Sequence, residues 1–434
     1  MANKPSGITW SRTYVPIIAG PGSVQLTSDG GFIVAGESVG AWVMKASSSG
    51  EPEWEREYAP EGYTDAAASS VQQTRDQGYI LAGNALSAHY VTSFDAWLLK
   101  LDHKGNVQWS KTYGGSGGEG FMSVQQTRDG GYIAAGTTES FGPGVQTSGE
   151  TAWVVRVDGK GNVVWQKDFG ADDAESVQQT SDGGFIVAGT AAVGSQPNAD
   201  AWVFKLDTNG NMVWQKTFEI TTDNRGYSVR QTSNGGYVLT AEAVTLSPVQ
   251  SLISSNAIVI SLDANGNTLW QRSYSRGGVT HPSSIAETAD DGFIVAGASR
   301  PTSYVSGING PWLLKLDAKG NLVWEKTYGE KGDFFYQVET TRAGGLIVVG
   351  FILSLGSAWL LNLNSLGTIE GCAIGMASNG TLTEPVLIET NARIIDVNTN
   401  ATIASTNVTV RTPTANALTQ CITIPGDTTK RTRD

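Results

Sequence analysis

The chain is short of the residues that metal and redox chemistry draws on, with two cysteines and three histidines (His89, His103, His281) in 434 residues. That leaves little room for a zinc or iron centre. Positive charge is scarce too: 29 Lys and Arg against 41 Asp and Glu give a net charge of -12. Nucleic acid and anionic membranes need a concentrated basic surface, so this balance argues against both. The 40% hydrophobic content argues against a disordered chain. The opening MANKPSGITWSRTY has no basic segment followed by an apolar one and shows no secretory leader, which an extracellular chain would have lost on processing. What the chain has in quantity is 53 glycines and 13 tryptophans.

One long apolar run, 344–363 (GGLIVVGFILSLGSAWLLNL), has the length of a membrane helix. Internal repetition explains it better. LIVVG and SAWLLNL stand where FIVAG and DAWVFKL stand earlier, with a short turn between them. No integral membrane segment is expected.

The repeat begins at Trp10, Trp54, Trp109, Trp165, Trp214, Trp270 and Trp324, at spacings of 44, 55, 56, 49, 56 and 54 residues. Each unit holds four short pieces in fixed order, such as VVWQKDF, ESVQQTSD, GGFIVAG and DAWVFKLD between 163 and 207. They are rich in Val, Ile, Phe, Tyr and Trp and bounded by Gly, Asp and Asn, so they read as strands. Four strands per unit of about 50 residues is the signature of propeller blades. The SVQQT-like motif occurs seven times, from Ser23 to Gln337, whereas the first Trp-bearing strand (ITWSRTY) precedes the first of them. The fold class is therefore all-β, a seven-bladed β-propeller over 8–370 closed by the N-terminal strand, which completes the seventh blade.

Two sets of tryptophans account for all 13: the seven above and Trp42, Trp97, Trp153, Trp202, Trp312 and Trp359 in the third strand, where the fifth blade has Ile258. They read as packing between blades, with indole N–H groups satisfied at the junctions. Asp-Gly-Gly-like turns (Asp29, Asp129, Asp182, Asn234) follow the first strand. Asp-x-x-Gly-Asn turns (Asp102, Asp207, Asp263, Asp317) follow the third, with the Asp accepting backbone N–H bonds. Asp207, Asn209 and Asn211 alternate like calcium ligands, but Phe218 stands where an EF-hand needs its carboxylate. No metal or cofactor is expected, and no catalytic constellation stands out.

The second-to-third-strand connections (84–95, 137–151, 190–200, 241–256, 299–311) differ in every copy and share one face, where recognition by a propeller is expected. Near the axis, blades one to four carry Gln25, Gln72, Gln125 and Gln178, and blades five to seven carry Arg230, Ala286 and Glu339. Arg230 and Glu339 are thus a candidate axial polar site, the alternatives being a structural pair or solvated side chains.

Residues 371–434 leave the repeat for a Thr/Asn-rich alternating pattern, read as a small C-terminal β module or an extended arm. Cys372 and Cys421 bracket it. A disulfide between them would staple a segment too small for a large core and implies an oxidising compartment; two buried free thiols are the alternative. All three Asn-x-Ser/Thr sequons (Asn379, Asn400, Asn407) fall here.

The unit SVQQTSDGGFIVAGT followed by DAWVFKLDTNGNMVWQKTF resembles the repeats of secreted or cell-surface β-propeller proteins of archaea and bacteria, over about residues 8–370. A looser similarity is to quinoprotein dehydrogenases, whose packing turn Asp317, Gly320 and Trp324 echo; their eight-bladed ring and adjacent cysteine pair are missing. The resemblance implies an extracellular or cell-surface protein. The expected role is non-enzymatic binding, adhesion or assembly, with other subunits (through the C-terminal module, as a head-to-tail polymer by strand addition) or surface glycans as partners. The alternative is a propeller enzyme, a quinoprotein-like oxidoreductase or polysaccharide hydrolase, acting on the variable-loop face.

Overall fold

The computed structural model describes residues 9–370, apart from 16–19, 88–92, 143–148, 193–198, 222, 247–252, 277 and 301–309, and beyond them only the backbone of seven short strands between 376 and 423. Seven antiparallel sheets make up a seven-bladed β-propeller. Blade 4 shows the pattern, with Asp173–Gln179 innermost, then Phe185–Ala192, Ala199–Leu206 and Met212–Glu219. Its second and third strands are buried on both faces because a blade lies against each, so alternation gives way to unbroken apolar runs. The apolar 344–363 run is two such strands, Leu346–Ile352 and Ser357–Leu363, paired with each other. Among the described residues no helix is long and apolar enough to cross a membrane.

Closure happens in blade 7. Thr9–Val15 pairs with Ser357–Leu363, Trp10 opposite Asn362 and Thr13 opposite Trp359. The Trp359 indole donates to Ser11 Oγ at 2.9 Å across this seam. The expected closure by the first strand is what the structure has.

Both tryptophan sets are packing residues. Those of the third strand are 0–2% exposed. The indoles of Trp42, Trp97 and Trp202 donate to the fourth strand of their own blade rather than across a junction, and those of Trp153 and Trp312 have no acceptor among the described residues. The outer-strand set leans on the next blade. Trp10, Trp54, Trp109, Trp165, Trp214 and Trp270 meet Phe32, Tyr79, Tyr132, Phe185, Tyr237 and Phe293 at centroid distances of 5.6–5.8 Å. Their indoles donate to carbonyls of the next blade's turn, as Trp109 does to Gly159 and Trp270 to Ala318. Four residues after the Trp stands a Tyr or Phe. The hydroxyls of Tyr14, Tyr58, Tyr113, Tyr274 and Tyr328 donate to Gly50, Gly105, Gly161, Gly320 and Gly367 carbonyls at 2.6–2.8 Å. Each blade is thereby bolted to its neighbour by an aromatic pair. Tyr113→Phe should cost about 1 kcal/mol, the worth of one buried hydrogen bond. A denaturant titration should show it as a lower midpoint with an unchanged slope.

In five of the seven blades a buried cation ties the third strand to the first turn. Lys45, Lys100, Arg156, Lys205 and Lys315 pair with Asp29, Asp76, Asp129, Asp182 and Asp290 at 2.5–3.0 Å. Blade 5 has Ser261 and Asn234 at these places and blade 7 has Asn362 and Ala343, so the two charges vanish together. A lone buried lysine is costly, and the repeat avoids it. Burial alone would raise these carboxyls, but the Thr hydroxyl two residues back, the turn N–H and the lysine outweigh it, holding Asp29 and Asp182 down to about 2. Folded values below the ordinary 3.8 contribute stability that is present above pH ~4 and lost as the pH falls through ~2. The Asp182 side chain is 63% exposed, so Asp182→Asn should destabilise by only about 1 kcal/mol at pH 7. Thermal melts should show that gap closing towards pH 2.

The C-terminal segment runs back round the ring. Met376–Ala377, Thr381–Thr383, Ile388–Thr390, Val397–Asn398, Thr402–Ser405, Val408–Arg411 and Asn416–Thr423 add a fifth, antiparallel strand to blades 6, 5, 4, 3, 2, 1 and 7 in turn. The strand additions foreseen between copies are made here within one chain, over every outer edge of the propeller. Cys372, Asn379, Asn400 and Asn407 lie outside the described residues, as does the side chain of Cys421, whose backbone faces Ser11.

Candidate functional site

The SVQQT motif is a set of hooks between inner strands. Its Ser accepts the next blade's Val N–H, as Ser23 does from Val71 and Ser70 from Val124, both at 3.2 Å. Its first Gln does the same one step further in. Gln25, Gln72, Gln125 and Gln178 Oε1 accept the N–H groups of Gln73, Gln126, Gln179 and Gln231 at 2.5–2.6 Å. Its second Gln reaches back, Gln73 and Gln126 accepting from Ser28 and Arg75 N–H at 2.7 and 2.9 Å. The oxygens of these repeated serines and glutamines are therefore consumed by ring assembly.

What they surround is a cavity of about 460 Å³ on the axis. Every inner strand carries a β-bulge at one place, between Ala174 and Ser176 in blade 4 and at the equivalent step elsewhere. In six blades a glycine in the facing second strand permits it, and in blade 5 Ala241 faces Gly226 instead. A Cβ on Gly83 or Gly136 would sit 1.9 Å from the Ala67 or Gly120 carbonyl oxygen. A bulge re-aims the extra side chain. Here it brings Gly22, Ser69, Met122, Glu175, Tyr227, Ser283 and Tyr336 into the cavity wall, one from each blade. This ring of bulged residues varies from blade to blade, and sequence reasoning missed it. A signal was available: the residue before SVQQT takes five identities in seven copies, while the Ser that follows it holds in six.

The polar part of the ring gathers at blades 4 to 6. Glu242 accepts from Tyr227 Oη at 3.0 Å and Ser255 Oγ at 2.5 Å, and its Oε2 lies 3.1 Å from His281 Nδ1. The Tyr227 and His281 rings meet edge-on at 4.5 Å. Burial would raise Glu242, but His281, Ser255 and Tyr227 outweigh it and keep the carboxyl below its ordinary value. Burial, then the Glu242 charge, push Tyr227 upward. On the neighbouring strand Asp173 accepts from Thr190 N–H at 2.7 Å. Burial and the charge of Glu175 push Asp173 up to about 8; burial raises Glu175 as well, against the charges of His281 and Arg225. The site thus sets two carboxyls whose proton is held more tightly than usual beside a triply contacted one whose proton is held less tightly. His281, on the inner strand Val279–Glu287, is part of it; His103 lies in an exposed turn and His89 outside the described residues.

Arg230 and Glu339 both line the same cavity, on either side of the blade that carries Ala286. Burial lowers the arginine and raises the carboxyl, and each opposes the shift of the other, so they sense one another. Glu339 takes the place of a ladder glutamine: it accepts from Leu26 N–H at 3.4 Å and from Gln337 Nε2 at 3.3 Å. Arg230 has no acceptor to offer and Ala286 no polar side chain, so the ladder stops at blades 5 and 6. Among the described residues no group of three or more His, Cys, Asp or Glu is arranged to hold a metal.

No protein-family model and no curated protein matches the chain. Among solved structures it is similar to the WD40 β-propeller domain of Doa1 (14% identity, 82% of this chain and 97% of that one, TM-score 0.49). It is also similar to Sqt1 from Chaetomium thermophilum (10% identity, 83% and 100%, TM-score 0.48). A third likeness is to the PQQ domain of a pyranose dehydrogenase from Coprinopsis cinerea (10% identity, 79% and 92%, TM-score 0.39).

Asp173, raised above the ordinary 3.8 to about 8, favours the fold while it keeps its proton, so its contribution is lost as the pH rises from about 4 through 8. Asp173→Asn keeps the acceptor for Thr190 N–H and removes that loss. Melting curves should place the variant a few degrees above the parent at pH 9 and level with it near pH 4.

Proposed function

We propose that the protein is a non-enzymatic binding propeller of the extracellular space or cell surface, taking a polar ligand, foremost a surface glycan, into the axial cavity from the variable-loop face. One observation carries this reading. Much of what repeats around the axis is spent holding blades together, and residues that depart from the repeat line one cavity wall: Glu175 and Tyr227 at bulges and His281 beside them, with Glu242 bonded behind Tyr227 and His281. A polar cavity with an aromatic edge and hydrogen-bonding groups of both kinds suits hydroxyl-rich ligands. Assembly by strand addition between copies finds less support, because the C-terminal strands are already used at this chain's own blade edges. The extracellular setting, the Cys372–Cys421 disulfide and glycosylation at Asn379, Asn400 and Asn407 belong to the same proposal.

A second reading, a polysaccharide hydrolase, is favoured by the raised carboxyls of Asp173, pushed up to about 8, and Glu175, since a general acid must keep its proton near the working pH. One experiment separates the two. The purified chain is offered neutral and acidic oligosaccharides on an array, and the eluted ligands are sized by chromatography. Binding should occur without chain shortening, and Tyr227→Ala and His281→Ala should each weaken it about tenfold, one lost cluster of contacts. Shortened products that disappear with Glu175→Gln would replace binding with hydrolysis; an array with no bound sugar would end both.

A further inference from the structure

The glutamine ladder leaves its own chemistry unfinished on the cavity side. An amide whose oxygen accepts a backbone N–H turns its NH2 the other way. Among the described residues, the Nε2 groups of Gln25, Gln72, Gln125 and Gln178 have no protein acceptor, although all four residues line the cavity. In the next ladder position Arg230 brings five more N–H donors, and among the described residues its guanidinium also has no hydrogen-bond acceptor. Ala286 then leaves a gap in the wall, beyond which Glu339 lines the cavity as an acceptor already steadied by Gln337.

We infer that this inner ring is a carboxylate-binding site: the ligand's carboxylate seats on the Arg230 guanidinium beside the Gln178 amide, and its hydroxyls reach Glu339 across the Ala286 gap and the serine ring above. A hexuronate, free or at the end of a polysaccharide, satisfies both demands. The inference rests on the glycan reading above and names the sugar class. A planar guanidinium matches a carboxylate through two parallel hydrogen bonds, and such charge-assisted bonds are about twice as strong as neutral ones. The cavity volume of about 460 Å³ admits a monosaccharide unit and lies within the range of about 300–1,000 Å³ usual for small-ligand pockets. Glu175, also in the cavity wall and raised by its burial, adds less repulsion than an exposed carboxylate would.

The repeat itself supplies the control. Arg230→Gln restores the residue of blades 1 to 4, with an acceptor for the next blade, and should fold at least as well as the parent. Calorimetric titrations with glucuronate and galacturonate, each against its neutral hexose, read the site directly. The intact chain should prefer the uronates by tenfold or more. Arg230→Gln should erase that preference with an unchanged melting temperature, and Arg230→Lys should keep part of it. Ala286→Gln, which fills the gap, should weaken uronates and hexoses alike. A uronate-terminated oligosaccharide set against one with only internal uronates tells a polymer end from a free sugar. Equal binding of uronate and hexose by the intact chain, or a preference that survives Arg230→Gln, overturns the carboxylate site. If neutral sugars still bind and Tyr227→Ala still weakens them, the glycan reading stands alone; if no sugar binds, both fall.

Discussion

The structure depends on the hydrogen bond that crosses from one blade to the next. A four-stranded sheet with both faces apolar cannot stand in water, and only a partner on each side makes it stable. Seven such partners form a ring, so each junction must hold for any to hold. The motif answers at several radii. Ser and Gln hooks join inner strands, tryptophan edges join blade bodies, and Tyr hydroxyls bolt outer strands to the turns beyond. The junctions resemble one another because each meets the same requirement, and this is why the chain repeats itself at all.

That logic explains what the sequence disclosed. Blade number followed from counting SVQQT-like motifs, and closure from the one Trp-bearing strand, at Trp10, that came too early for its own blade. The paired tryptophan sets and the turn aspartates were read correctly because packing and turn geometry recur in every copy. Arg230 and Glu339 were visible as departures from a glutamine column. The bulge ring was not seen, because a bulge adds a residue without a partner and breaks the alternation by which facing is read. Glu242 was hidden for another reason. It lies on a second strand, with nothing in its local pattern to set it beside Tyr227 and His281. The outward course of the C-terminal segment could not be read either, since two- and four-residue strands carry too little periodicity to reveal their partners.

The division of labour inside the cavity follows from the same constraint. Most residues that hold the ring recur in nearly every copy, and most that vary are not needed for it; Arg230 and Ala286 are the places where the ladder itself gives way. The bulge reconciles the two within one strand, since Ser176 hooks the neighbouring blade while Glu175, one position earlier, faces the cavity. Specificity can change around the axis without loosening a single junction. The cost falls on glycine: Gly83, Gly136 and their equivalents must stay small so that the inner strand can come close.

The seventh blade joins the two ends of the propeller, its outer strand lying near residue 10 and its inner three between 334 and 363. During synthesis the leading segment therefore waits, its hydrogen-bonding edge unclaimed, until more than three hundred residues have emerged. A nascent chain of this kind is exposed to wrong pairings for most of its time on the ribosome, and a stalled or shortened product retains an open, adhesive rim.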